Sequence, residues 1–232
     1  MVTADETDSG NGGPDLPVRI FLRPMGSPLP LGLSGLAIAS LLTTGLDFSW
    51  VPVEQTHQLG FLLLVTVVPI QLLASAFAFP ARDGATASSI GILAGTWAAY
   101  GLSKLEMPPL QTSHALGLLL LMAAGVLAGG ALAQGTGKVL AALVLLLAAA
   151  RFALAGLYEL TAWEGWQNAA GAVGLGVAAG AVYLVWALSF EDARDRTTLP
   201  TLRRGRGKVA VEERASRQLD GIQHEPGVRT QL

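Results

Sequence analysis

Long uncharged runs organise this chain, and strict alternation of apolar and polar positions is absent. Between Arg23 and Asp47 lie 23 residues without an acid or a base, and between His57 and Arg82 another 24. Asp83 to Lys104 encloses 20, Ala115 to Gly137 gives 23, and Gly165 to Phe190 gives 26. Val139 to Leu160 is apolar except for Arg151 and Glu159. A bilayer core about 30 Å thick takes about 20 apolar residues of helix. The pattern therefore predicts six transmembrane helices, near residues 29–46, 59–79, 85–103, 114–133, 139–160 and 168–190. Barrel strands would alternate apolar and polar positions over about ten residues. Helices also satisfy their own backbone hydrogen bonds in hydrocarbon. Short connections favour one compact bundle, an all-α membrane protein.

Composition agrees with that pattern. The chain is 51% hydrophobic and only 14% charged, against roughly 25% charged in an ordinary globular domain. That deficit excludes a soluble enzyme, and the absence of cysteine excludes a disulfide-stapled domain or a thiolate metal site. With the N-terminus inside, the inner segments hold 13 Lys/Arg, including Arg19, Arg23, Arg82, Lys138 and the nine after residue 190, against Lys104 alone in the outer loops. The positive-inside rule then predicts that both termini are cytoplasmic in a multi-pass protein of the inner (plasma) membrane. Three regions follow: residues 1–23, a disordered cytoplasmic segment; residues 24–190, the six-helix domain; and residues 191–232, a charged, largely disordered cytoplasmic tail. The acidic start lacks the basic region and short apolar core of a secretory leader, so no cleavage is expected. The basic residues just after the last span are placed to touch anionic headgroups or to dock a regulator.

Motifs of soluble chemistry fail on inspection. Gly135-Thr136-Gly137-Lys138-Val139 approaches a P-loop but lacks its first glycine and its Ser/Thr. No catalytic, metal-binding or cofactor-binding constellation is expected, and no nucleic-acid surface. Moving something across the bilayer is the remaining default. Pro28 and Pro30 predict a helix start at or just after them, with Ser27 placed to cap freed amides and the positive end of the dipole at the mouth. Gln71, two residues after Pro69, which frees a backbone carbonyl about one turn before it, either bonds another helix or lines a pathway. Thr86, Ser88, Ser89 and Thr96 add hydroxyls to the third span, and back-bonding to the preceding turn is the competing use, favoured for Thr96. Gly91/Gly95, Gly125/Gly129 and Gly176/Gly180 allow close packing within one protomer or between protomers. Arg151 lies 13 residues beyond Lys138, about 20 Å along the fifth span. It either snorkels outward or draws carboxylate into an external vestibule, with Asp47 a better resting partner than Glu159.

The run Ser27-Pro28-Leu29-Pro30-Leu31-Gly32-Leu33 resembles the NPAPLGL signature of the acetate uptake transporter family. That family includes the YaaH-type bacterial acetate/succinate permeases and related fungal acetate and ammonia-export proteins. Gln71 falls where the family has a GGxxQ-like pattern, and Gly84 to Gly91 resembles its GxTAxxSYG segment. Gly171 to Tyr183 resembles its Gly-rich sixth helix, and Arg196-Thr197-Thr198-Leu199-Pro200 its RTxLP closing signature. The resemblance covers roughly residues 24–205. Departures are Ser27 for Asn, Leu29 for Ala, and Val67-Val68 for the glycine pair.

The resemblance implies a substrate pathway through Ser27, Pro28, Pro30, Leu31, Gly32 and Leu33 at the mouth, with Gln71, Thr86 and Ser89 deeper. It also implies a homo-oligomer, a hexamer by analogy. The expected function is a transporter or channel for acetate and similar small monocarboxylates, succinate among the candidates, with a proton carried alongside the anion so that passage is neutral. Alternatives are a conduit for urea, short amides or ammonia, and a non-transporting membrane protein whose basic tail does the work.

Overall fold

The computed structural model describes residues 26–81, 83–135, 137–194 and 197–203. The expectations for residues 1–23 and for the chain after residue 203 lie outside these described residues. Helix α1 spans Leu29–Asp47. A short 3-10 turn, Val53–Gln55, leads into α2, Thr56–Leu62. A π-turn over Leu63–Val67 joins α2 to α3, Val68–Ala78. Then come α4 (Gly84–Glu106), α5 (His114–Gln134), α6 (Val139–Thr161) and α7 (Glu164–Arg194). The described residues form no strand, only one isolated backbone bridge between Lys138 and Arg203.

Local sequence accounts for the breaks. Pro69 has no N–H to give the carbonyl four residues earlier, and the helix widens to a π-turn just before it. The Asp83 carboxylate accepts from the Thr86 N–H at 3.2 Å to start α4, and the Ser113 hydroxyl accepts from the Leu116 N–H at 3.3 Å to start α5. Ala162 takes a left-handed conformation, φ 53°, to end α6. With 31 residues, α7 is about 46 Å long and outruns a bilayer core. It begins four residues before the predicted span and ends four after it.

Counting α2 and α3 as one bent rod, the helices close a ring. Helix α1 packs on α7, α7 on α6, α6 on α5, α5 on α4, α4 on α2 and α3, and α3 back on α1. Leu36, Leu63, Trp97, Leu120, Leu127 and Phe152 are enclosed, whereas Phe61, Leu72, Leu118, Met122 and Trp186 stand exposed on the outside. Apolar side chains on both faces are what a bundle bathed in lipid requires. Among the described residues, five helices are long and apolar enough to cross a membrane. The remaining predicted span, the third (85–103, α4), has the length but is more polar, with Thr86, Ser89, Thr96 and Tyr100 turned inward. The chain is a multi-pass helical membrane protein.

Two glycine crossings set the tightest contacts. A Cβ on Gly60 would stand 2.6 Å from the Gly101 carbonyl, and one on Gly101 would stand 2.9 Å from the Gly60 carbonyl. Gly117 and Gly156 repeat this between α5 and α6, at 3.0 and 2.9 Å. In both pairs the backbones touch, which only residues without side chains permit. The pairs expected from sequence behave differently. A Cβ on Gly95, Gly125, Gly129 or Gly176 would meet nothing within 4 Å. Packing within the protomer therefore does not explain the Gly125/Gly129 pair, because that face of α5 turns out of the ring.

Candidate translocation path

At the Asp47 end, the ring opens into a vestibule of about 410 Å³ whose polar lining includes Asp47, Tyr100, Lys104, Tyr158, Glu159 and Asn168. Three carboxylates (Asp47, Glu159 and Glu164) and one cation (Lys104) line it. The Lys104 ammonium donates to Glu159 Oε1 at 3.0 Å, and the Ser113 backbone N–H donates to Glu159 Oε2 at 2.7 Å. One carboxylate thus ties α4 and the cap of α5 to α6. Lys104 also lies 5.1 Å from the centroid of the Tyr100 ring, within the range of a cation–π contact.

Arg151 is only 3% exposed and donates from Nη2 to Asp47 Oδ2 at 2.8 Å. It does not snorkel outward. Room for it comes from Gly174 on α7, where a Cβ would stand 2.5 Å from Arg151 Nε. Arg151 does not itself line the vestibule; Asp47 does, and holds the guanidinium from the cavity side. Glu159 is engaged by Lys104, consistent with its poor position for Arg151 along the same helix.

Deeper in the ring lies a small second cavity, about 30 Å³, lined by Gly32, Leu33, Leu36, Thr86, Ser89, Ile90, Leu93 and Gln134 among others. It gathers four of the residues expected along a pathway: Gly32, Leu33, Thr86 and Ser89. Gln134 Nε2 donates to Ser89 Oγ at 3.4 Å, while Thr86 Oγ1 has no partner among the described residues. Thr96 donates to the Ile92 carbonyl at 2.8 Å, and Ser88 is exposed away from the cavity.

The mouth of α1 corrects one expectation. Pro28 itself occupies the cap position in right-handed helical geometry, and no side chain caps the helix, so Ser27 does not bind the freed amides. The chain is already helical at Pro28, which sets Ser27 a residue too early to reach them. Ser27 instead lines a third cavity at this end. Leu31, set about 200° around the helix from Leu29 and Leu33, is 38% exposed and lines none of the three cavities. Pro30 sits in the first turn. Gln71 is fully buried between α3 and α1: its Nε2 donates to the Gly32 carbonyl at 3.3 Å, and its Oε1 has no partner among the described residues. Gly35 makes room for it, because a Cβ there would stand 2.7 Å from Gln71 Cγ.

The third cavity, about 160 Å³, is floored by the segment after α7. Tyr183 donates its hydroxyl to the Pro200 carbonyl at 3.0 Å, Thr201 is buried, and Arg203 pairs with Glu191. Lys138 pairs with Asp83 across the same end. Burial works to raise the Asp83 carboxyl, but the hydrogen bond and charge of Lys138 outweigh it and hold the group below its ordinary value. Residues 197–203 thus fold back beneath the ring.

The sequence pattern of uncharged runs does not single out Tyr100, Lys104 and Trp97 as inward-facing groups and puts Lys104 in an outer loop. Their signal was present: Leu93, Trp97, Tyr100 and Lys104 recur at three or four residues, one face of a helix. The uncharged run was cut at Lys104, which hid its last turn.

No family model matches the chain, and no curated protein matches it in sequence. Among solved structures, it is similar to the structure of the bacterial acetate channel SatP, with 18% sequence identity and a TM-score of 0.67. The match covers 76% of this chain and 99% of that one. At that identity the likeness speaks for architecture: the chain has the fold of a bacterial acetate channel.

Proposed function

We propose that the chain is a divergent member of the acetate uptake transporter family and passes acetate and similar small monocarboxylates through the axis of its ring. The observation that carries this is the helical ring shared with an acetate channel over nearly the whole of that channel's length. A polar vestibule and an uncharged inner cavity succeed one another inside it. Lys104 is the cation that faces the vestibule, and Arg151 adds charge from behind Asp47. Beyond them the inner cavity offers hydroxyls and an amide but no fixed charge. A bare carboxylate is costly at that depth, so passage is linked to a proton. Gln71 serves the path by holding the Gly32 carbonyl, and Pro28 and Pro30 shape the mouth. The Ser27 end faces the cytoplasm, six spans cross the inner membrane, and copies associate through the outward Gly125/Gly129 face of α5.

The uncharged inner cavity also favours a second reading, a conduit for a neutral solute such as urea or a short amide. Uptake of radiolabelled acetate and urea by proteoliposomes separates the two. Saturable acetate flux that rises with an inward proton gradient is the expected result. Urea flux without acetate flux establishes the second reading, and neither flux refutes both.

A further inference from the structure

The vestibule and the inner cavity are lined by different residues, and the layer between them has a composition of its own. On α1, Leu36 lines the inner cavity and Asp47 the outer, with Ser40 between them. On α4, Leu93 lines the inner and Tyr100 the outer, with Trp97 between. On α6, Leu145 lines the inner and Ala155 the outer, with Phe152 between. Trp97 and Phe152 are each 1% exposed and meet edge to face, with ring centroids 4.9 Å apart.

Two polar groups are enclosed in that layer without partners among the described residues. Ser40 is 0% exposed, and neither its Oγ nor Trp97 Nε1 has a hydrogen-bond partner among the described residues. A helical serine or threonine ordinarily donates to the carbonyl a turn back. Ser34, Thr43 and Thr96 all do so, at 2.9, 2.6 and 2.8 Å. Ser40 does not. Buried hydrogen-bonding groups are otherwise almost always satisfied, and an exception calls for a cause. An O–H and an N–H are both donors, and the complement of two donors is a pair of solute oxygens.

We propose that Trp97 and Phe152 form the closed barrier of the path, and that the Ser40 hydroxyl and the Trp97 indole N–H receive the oxygens of a small carboxylic solute as it crosses. This rests on the transport reading above and adds the site at which the solute sheds its water. The aromatic edges exclude bulk water, and the two donors replace part of the hydration the carboxyl group loses. The rings must turn aside for each passage, so the barrier is also the moving part.

The chain contains no cysteine, so single cysteines report on each side of the barrier. Gln167→Cys lies in the vestibule and Ser89→Cys in the inner cavity. With a charged, membrane-impermeant thiosulfonate applied on the side where Gln167→Cys reacts, Ser89→Cys is expected to react slowly. It should react at least tenfold faster once Trp97→Ala is added, while Gln167→Cys is unchanged. A Ser89→Cys rate indifferent to Trp97→Ala overturns the barrier. The receiving role is read separately in Ser40→Ala and Trp97→Phe, which keep size and ring but lose the donors. Each is expected to lower acetate flux severalfold at equal folded abundance, with Ser89→Cys still protected. Undiminished flux in both overturns that role. If the unsubstituted protein passes no acetate, the receiving role falls with the transport reading, and the labelling still decides the barrier.

Discussion

Removing Asp47 should hurt this protein more than removing both Asp47 and the residue it holds. Arg151 is 3% exposed, sits beneath Asp47 and has its Nε without a partner among the described residues. Asp47→Asn leaves that guanidinium enclosed with no counter-charge. Breaking a buried pair from one side costs about 3–5 kcal/mol, because the orphaned charge remains desolvated. Arg151→Gln is the milder single change. The carboxylate left behind lines the vestibule at 12% exposure and can take up water, so its loss lies nearer the 1.5–3 kcal/mol of a hydrogen bond to a charged group. The double variant carries two uncharged amides and should unfold at a cost close to that of Arg151→Gln alone. The coupling between the positions is then about 3–5 kcal/mol, the full cost of the orphaned guanidinium, at or above the upper end for residues in contact.

Reversible unfolding in mixed micelles, with the denaturing detergent titrated, measures all four forms. Ionic strength supplies an independent reading. A pair enclosed to this degree is screened little, so the coupling should persist from low to high salt, whereas a solvent-exposed pair would lose it. Single-variant effects that simply add, or a coupling below about 0.5 kcal/mol, would refute the buried pair. The same variants bear on transport: acetate affinity lost in Arg151→Gln but kept in Asp47→Asn assigns the attraction of substrate to the guanidinium.

Three further outcomes are expected. Gly60→Ala should destabilise by about 1–3 kcal/mol through overpacking against the Gly101 carbonyl, 2.6 Å from the added Cβ. Gly125→Ala, with nothing within 4 Å, should change stability by less than about 0.5 kcal/mol in a dissociated protomer, and equal effects in the same micelle titration would contradict the crossing. Asp83, held below the ordinary carboxylate value by Lys138 against the opposing effect of burial, adds stability that is complete above that ordinary value and is lost as pH falls through the lowered one. Thermal melting of the wild type should therefore drop more steeply in acid than that of Asp83→Asn, and parallel curves would discount the pair. Tyr183→Phe, which loses the 3.0 Å bond to the Pro200 carbonyl, should speed tryptic cleavage at Arg203 severalfold, and unchanged cleavage would show that the bond does not hold residues 197–203 in place.

What the sequence could and could not reveal divides along one physical line. Charge places a helix along the membrane normal, because an acid or base inside hydrocarbon is costly; the uncharged runs therefore located the helices to within a few residues at most ends. Depth alone also brought Asp47 and Arg151 to the same level, and the pair forms. Rotation about the helix axis is a different matter. A helix apolar on all sides has no polar stripe to turn outward, so nothing distinguished the face of α5 carrying Gly125 and Gly129 from the face carrying Gly117. All three are glycines of α5, yet only Gly117 touches a neighbour's backbone within the protomer. A subtler signal existed: Gly60, Gly101, Gly117 and Gly156 are each followed by a leucine four residues on. At both crossings those leucines fill the space beside the opposing glycine: Leu64 lies against Gly101 and Leu105 against Gly60, while Leu121 lies against Gly156 and Leu160 against Gly117. A repeated glycine-leucine pattern on four helices thus encoded rotation where hydropathy did not. Unspent hydrogen bonds left no such trace. Ser40 and Ser34 are both serines of α1, and only the closed ring leaves the first without a partner among the described residues while the second bonds back to Pro30.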